Sequence, residues 1–113
     1  MTPAQPTLPF AVWVEFQIRA DALPEFMPLM MANARASLSQ EKGCRQFDVM
    51  VPRPAGASVR LFEIYDSPAA FEEHLQSAHF KSFAAATNGM IAERKILTLD
   101  LVAGSPGSRT SAA

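Results

Sequence analysis

The stretch 58–83, SVRLFEIYDSPAAFEEHLQSAHFKSF, holds a strand, a sharp turn and the start of a helix. Side chains alternate along a strand, so Leu61, Glu63 and Tyr65 share one face while Phe62 and Ile64 take the other. Ser67 then offers a helix N-cap, and Pro68 takes the first helical position, where a missing N–H is not needed. The helix carries Phe71, His74 and Leu75, which sets His74 on or beside its apolar stripe. A carboxylate, a phenol and an imidazole therefore ride on two adjacent, rigidly joined elements. They form the candidate site.

Upstream of this stretch, Phe10 to Arg19 is expected to form a first strand. Phe10, Val12, Val14, Phe16 and Ile18 make one apolar face, opposite Ala11, Trp13, Glu15 and Gln17. Asp21 reads as the N-cap of a long helix ending near Gly43, with Gly43 just past its end. Leu23, Phe26, Met27, Met30, Met31, Ala34 and Leu38 recur at helical spacing and predict a broad buried stripe, with Asn33 at its edge. The methionines read as pliable packing rather than as ligands. A second strand runs from Cys44 to about Val51, and the turn PRPAGA (52–57) leads into the third. After Pro68 a helical region extends to about Asn88, with a possible interruption at 77–79. Asn88-Gly89 stops it, and Glu93 to Val102 is the last strand. Residues 1–9 read as a loose arm and 104–113 as a disordered tail, leaving 10–103 as the folded domain.

The chain has 113 residues, a length for one domain, and a net charge of -1. Its ten Lys and Arg residues are scattered, which argues against nucleic acid as a partner. No apolar run approaches the roughly 20 residues that span a membrane. No secretory signal is evident, so a cytoplasmic location is the expectation. Cys44 alone cannot make an internal disulfide, and no histidine lies near it in sequence to activate it. His74 and His79 are five residues apart, which on a continuous helix points them to different faces. No metal and no cofactor are therefore expected.

The order β-α-β-β-α-β is a ferredoxin-like α+β layout, with helices on one face of a four-stranded antiparallel sheet. The other face also carries large side chains, and a single helical layer cannot cover both. A homodimer packed sheet to sheet is the expectation.

The segments EKGCRQFDV (41–49) and RLFEIYDSPAAFEEHLQSAHFKSF (60–83) together resemble the antibiotic biosynthesis monooxygenase domain family. The likeness rests on E-x-G before the second strand, F-E-x-Y in the third, and H-x-x-S-x-H-F across the second helical region. It spans roughly Phe10 to Val102. The resemblance implies a dimeric α+β barrel with a pocket between sheet and helices. It implies Asn33, Glu63, Tyr65 and His74 as polar site residues, His79 as a further match, and Trp13, Phe47 and Phe71 as walls for a flat aromatic substrate.

It further implies oxidation of a quinol or related phenolic aromatic by dioxygen, without metal or flavin. The substrate supplies the electrons, and the protein binds the ring, excludes water and takes a proton. His74 is the natural base, since an imidazole titrates near neutral pH. Glu63 is expected to orient its ring, and Tyr65 and Asn33 to hydrogen-bond the substrate oxygen. The same groups suit an isomerase acting on a phosphorylated carbonyl compound of the autoinducer-2 type, with Arg35, Arg45 or Lys81 as anion contacts. A non-catalytic dimeric binding module is the third alternative.

Overall fold

A computed structural model describes residues 8–54 and 56–104. The expected N-terminal arm and C-terminal tail fall almost wholly outside the described residues. The elements run β1 (Phe10–Ile18), a 3-10 turn (Ala20–Ala22), α1 (Leu23–Gln40), β2 (Cys44–Met50), β3 (Ser58–Tyr65), α2 (Pro68–Gln76), α3 (Ala78–Thr87) and β4 (Ile91–Asp100). The expected layout holds, with the second helical region divided in two. The strands form one antiparallel sheet in the order β2-β3-β1-β4.

Register explains which side chains face the helices. Glu63 lies opposite Val12 on β1 and Phe47 on β2, and Leu61 lies opposite Val14 and Val49. Because partners across a ladder share a face, the inner face collects Val12, Val14, Phe16, Ile18, Phe47, Val59, Leu61, Glu63 and Tyr65, all buried. Trp13 belongs to the outer face, between Phe62 on β3 and Leu97 on β4. At one end of the core Phe26 meets Phe16 and Phe83 edge-on, with centroids 5.6 and 5.8 Å away. Such contacts add about 1 kcal/mol each beyond the burial of the rings.

The first helix departs from its expected form in three ways. Its N-cap is Ala22, which makes no side-chain cap bond. The 3-10 turn moves Asp21 off the cap position, and Pro24 occupies the first turn. The buried stripe is also turned: Phe26, Met30, Asn33, Ala34 and Ser37 are buried, whereas Met31 and Leu38 are half exposed. Two polar side chains thus face inward. Finally, the helix ends on Glu41 in extended conformation, and Gly43 has no left-handed backbone. Gly43 is needed for closeness instead: a Cβ there would stand 2.5 Å from the Cβ of Ala70 on α2. That contact presses the α1–β2 junction against the start of α2.

Ser67 caps α2 by accepting from the Ala70 N–H at 3.1 Å, with Pro68 next to it. Ser77 ends α2 and begins α3. Its backbone is extended, its hydroxyl donates to the His74 carbonyl at 2.7 Å, and the same oxygen accepts from the Phe80 N–H at 3.2 Å. One serine therefore breaks the helix and caps both resulting ends. The last strand starts two residues earlier than the spacing predicts. Along it Ile96, Leu97 and Leu99 remain exposed.

Candidate active site

A cavity of about 590 Å³ lies between the inner sheet face and the three helices. Val12 and Val14 of β1, Leu61 of β3, Met30 of α1 and Phe80 and Phe83 of α3 supply much of its apolar lining. Asn33, Glu63 and His74 bring polar atoms to it, and Arg94 and Glu93 of β4 lie at its border.

His74 is almost fully buried within an aromatic shell. Phe71 stacks on it at an interplanar angle of 16°, and Phe80, Tyr65 and Phe47 surround it with centroids at 5.0, 5.4 and 5.9 Å. Its Nδ1 lies 2.8 Å from Oε2 of Glu41, the residue that ends α1, and 3.4 Å from Oγ of Ser37. The same Glu41 oxygen takes Nε2 of His79 at 2.5 Å. A carboxylate only accepts, so both imidazoles donate, and Nε2 of His74 is left with its lone pair. Burial pushes the His74 pKa down, while the bond to Glu41 pulls the other way. The ring is therefore neutral at neutral pH.

Glu63 is the second buried ionisable group. Burial pushes its carboxyl up to about 7, against the opposing effect of a 2.5 Å hydrogen bond from the Tyr65 hydroxyl. Tyr65 is raised by burial and by Glu63, so it remains a neutral phenol. Asn33 is 4% exposed and lines the cavity, and its Oδ1 is buried with no hydrogen-bond partner among the described residues. An orphaned carbonyl there costs about 1–3 kcal/mol, which a donor on a bound molecule would offset. Cys44 is buried with its thiol pushed up to about 12, chiefly by desolvation, in keeping with a structural role.

Among the residues expected from sequence, Asn33, Glu63, His74, Phe47 and Phe71 all border the cavity. Tyr65 stands behind Glu63, its hydroxyl committed to that carboxyl. Trp13 lies on the opposite side of the sheet, its indole N–H bonded to Glu15 at 3.0 Å, because strand alternation turns it away. It cannot wall this cavity. His79 contacts Glu41 rather than the cavity. The carboxylate that holds His74 is Glu41 and not Glu63, which is paired with Tyr65. The argument from five-residue spacing also fails, because Ser77 breaks the helix and α3 swings His79 back to 6.1 Å from the His74 ring.

Ser37 was not singled out by the sequence, and Glu41 entered only as the acid of the E-x-G motif, with no site role. They meet His74 from 37 and 33 positions away. A further local signal was present: Glu41 is an acid at the negative end of a helix, an unfavourable place unless something else fixes it.

The antibiotic biosynthesis monooxygenase family matches residues 9–86. A Mycobacterium tuberculosis protein named "Putative monooxygenase Rv0793" is 32% identical over 96 residues, covering 82% of this chain and 90% of that one. Its solved structure superposes with a TM-score of 0.79 over 86% of this chain and 98% of its own, at 28% identity. The structure of PA3566 from Pseudomonas aeruginosa gives a TM-score of 0.80 at 21% identity over 88% of this chain and all of its own, a likeness of fold.

Proposed function

Because the chain belongs to the antibiotic biosynthesis monooxygenase family, we propose that it oxidises a quinol or related phenolic aromatic with dioxygen, using no cofactor and His74 as the base. The observation that carries this reading is the held imidazole: Glu41 accepts a hydrogen bond from His74 Nδ1, and Nε2 is left free on a ring that borders an apolar cavity. The carboxylate fixes tautomer and orientation, and stabilises the imidazolium once a proton arrives.

A phenolic O–H placed against Nε2 gives up its proton, and the resulting electron-rich anion passes one electron to dioxygen. Superoxide and the substrate radical then combine at a ring carbon bearing hydrogen. The imidazolium returns its proton to the peroxide, and the hydroperoxide so formed loses its carbon-bound proton and hydroxide, together as water, to leave a carbonyl, so one oxygen atom enters the product and the other departs as water. All four electrons needed to reduce dioxygen come from the substrate. Glu63, its carboxyl pushed up to about 7 by burial, can hold a proton near neutral pH and deliver it to the departing hydroxide. Asn33 accepts a hydrogen bond from the substrate through Oδ1. Phe47 and Phe71 offer flat surfaces for an aromatic ring.

The competing isomerase reading calls for cations at a phosphate. Arg45 is engaged with Asp66 at 2.6 Å, and Arg35 and Lys81 are absent from the cavity lining. Among the described residues Arg94 is the one Lys or Arg in that lining, so this reading rests on it.

The test is oxygen uptake by metal-free, flavin-free protein over a panel of quinols. Wild type is expected to turn over at least one of them, and His74→Ala to lose about 10²–10⁴-fold in rate. Uptake that is unchanged in His74→Ala would remove the base. No uptake with any quinol, together with turnover of a phosphorylated ketose that depends on Arg94, would establish the isomerase.

A further inference from the structure

We infer that Glu41, His74 and His79 form a zinc site behind the cavity, in which Zn²⁺ replaces the two hydrogen bonds that now converge on Glu41. One donor atom from each residue lies within 4.8 Å of the other two, and the three come from three separate elements: the end of α1, α2 and the first turn of α3. Two imidazole nitrogens and a carboxylate oxygen make a donor set suited to a borderline ion such as Zn²⁺ and unsuited to Mg²⁺ or Ca²⁺, which want oxygen throughout.

The three donor atoms already lie within 4.8 Å of one another, near enough to converge on one ion. Zn²⁺ at about 2.0–2.2 Å from each donor sets neighbouring donors about 3.0–3.5 Å apart. The present separations from Glu41 Oε2 are 2.8 and 2.5 Å, so the carboxylate must draw back by under about 1 Å while the two imidazole nitrogens, within 4.8 Å of each other, close on the ion. A second feature favours a cation here. Oε1 of Glu41 is buried with no hydrogen-bond donor among the described residues, so this carboxylate has acceptor capacity that nothing now uses. The His79 and Glu41 side chains keep 14% and 12% of their surface exposed, which gives an ion a way in and a water its place as fourth ligand.

Geometry also says what such an ion would not do. Glu41 and His79 do not line the cavity, and His74 stands between them and it. The ion would sit on the far side of the ring and would not meet the substrate. Binding through Nδ1 moves the His74 proton to Nε2, and binding through Nε2 moves the His79 proton to its own Nδ1. No proton is released, but Nε2 of His74 becomes N–H and ceases to be a base. If the proposed reaction is correct, Zn²⁺ is an off-switch for it.

The binding test does not need the reaction. Chelator-stripped protein is titrated with Zn²⁺ against a chromophoric competitor, alongside Glu41→Gln and His79→Gln, each checked for folding by circular dichroism. One equivalent per chain is expected for wild type, with affinity lower by about 10- to 100-fold or more in each variant. Co²⁺ should give the intense visible absorption of a four-coordinate site in wild type and lose it in His79→Gln. Wild-type affinity no greater than that of folded His79→Gln, or a Co²⁺ spectrum like that of the aqueous ion, overturns the site. Zn²⁺ that binds in one equivalent yet leaves quinol-dependent oxygen uptake intact supports the site and removes His74 as the base.

Discussion

Replacing Glu63 by Gln should make the protein more stable in alkali than wild type, and the structure sets the size of the effect. The carboxyl ionises near 4.5 when solvated, but burial raises it to about 7 in the native state. Between those two values the native state holds a proton that the unfolded chain has released. Native stability from this group is therefore fully present below about pH 4.5 and is lost as pH rises through about 7. At 1.36 kcal/mol per pKa unit, the full loss is about 3 kcal/mol. Glutamine keeps the shape and the acceptor for Tyr65 without ever ionising. Urea unfolding followed by fluorescence at about pH 5 and about pH 8 should show the variant gaining about 2–3 kcal/mol on wild type between the two. His74 acts with opposite sign: its pKa is lowered by burial, so its contribution is lost as pH falls below about 6.5, equally in both proteins. Tyr65→Phe sharpens the test, since removing the hydrogen bond that the Tyr65 hydroxyl donates to Glu63 should push its midpoint higher still. If wild type and Glu63→Gln lose stability in parallel from about pH 5 to about pH 8, Glu63 ionises normally. The proton-donor role then fails with it.

Three other outcomes are expected. Gly43→Ala should cost about 1–3 kcal/mol in urea unfolding, because its Cβ would meet that of Ala70 at 2.5 Å, and Ala70→Gly should restore most of the loss; additive losses would refute the close-packing explanation. Ser77→Ala removes the oxygen that caps α3 and should cost about 1 kcal/mol while changing the NMR chemical shifts of the His79 ring, whereas unchanged shifts would mean that α3 is aimed by other contacts. The outer sheet face, with Trp13, Phe62, Leu97 and Leu99, should join two copies of the chain. Light scattering should give twice the chain mass for wild type and less for Leu97→Asp, and a wild-type monomer at micromolar concentration would refute the interface.

Strands were legible because a half-buried strand imposes alternation, which Val12 through Ile18 and Val59 through Glu63 obey, before Ile64 on the outer face is buried as well. Helix ends marked by a capping serine were legible too, as at Ser67. The long helix was harder. Its apolar residues cover more than one face, so periodicity admits a range of rotations, and only packing against the sheet chooses the one that buries Asn33 and Ser37 and exposes Met31 and Leu38. For the site, Glu63 and His74 were visible because each is an ionisable residue set into an apolar face. Glu41 was not, since it lies outside any regular element and meets its partners only through tertiary contacts.

The two histidines carry the sharper lesson. Five residues on an unbroken helix turn a side chain by about 140° from its starting direction, so His74 and His79 would face apart. That conclusion assumes continuity across 77–79, the very segment where an interruption was expected. The two statements cannot both hold. Once Ser77 takes an extended backbone and starts a new helix, the angle between residues 74 and 79 is set by how α3 packs, and α3 packs chiefly against α1. Glu41 closes the end of that same α1. A single oxygen then receives both rings because the helix that carries His79 docks on the helix that delivers the carboxylate. Restoring continuity should undo the cluster: Ser77→Ala combined with Ala78→Leu, which favours helix through the break, should free His79 from Glu41 and abolish Zn²⁺ binding without unfolding the sheet. Retention of full Zn²⁺ affinity in that variant would show that the break is not what brings the histidines together.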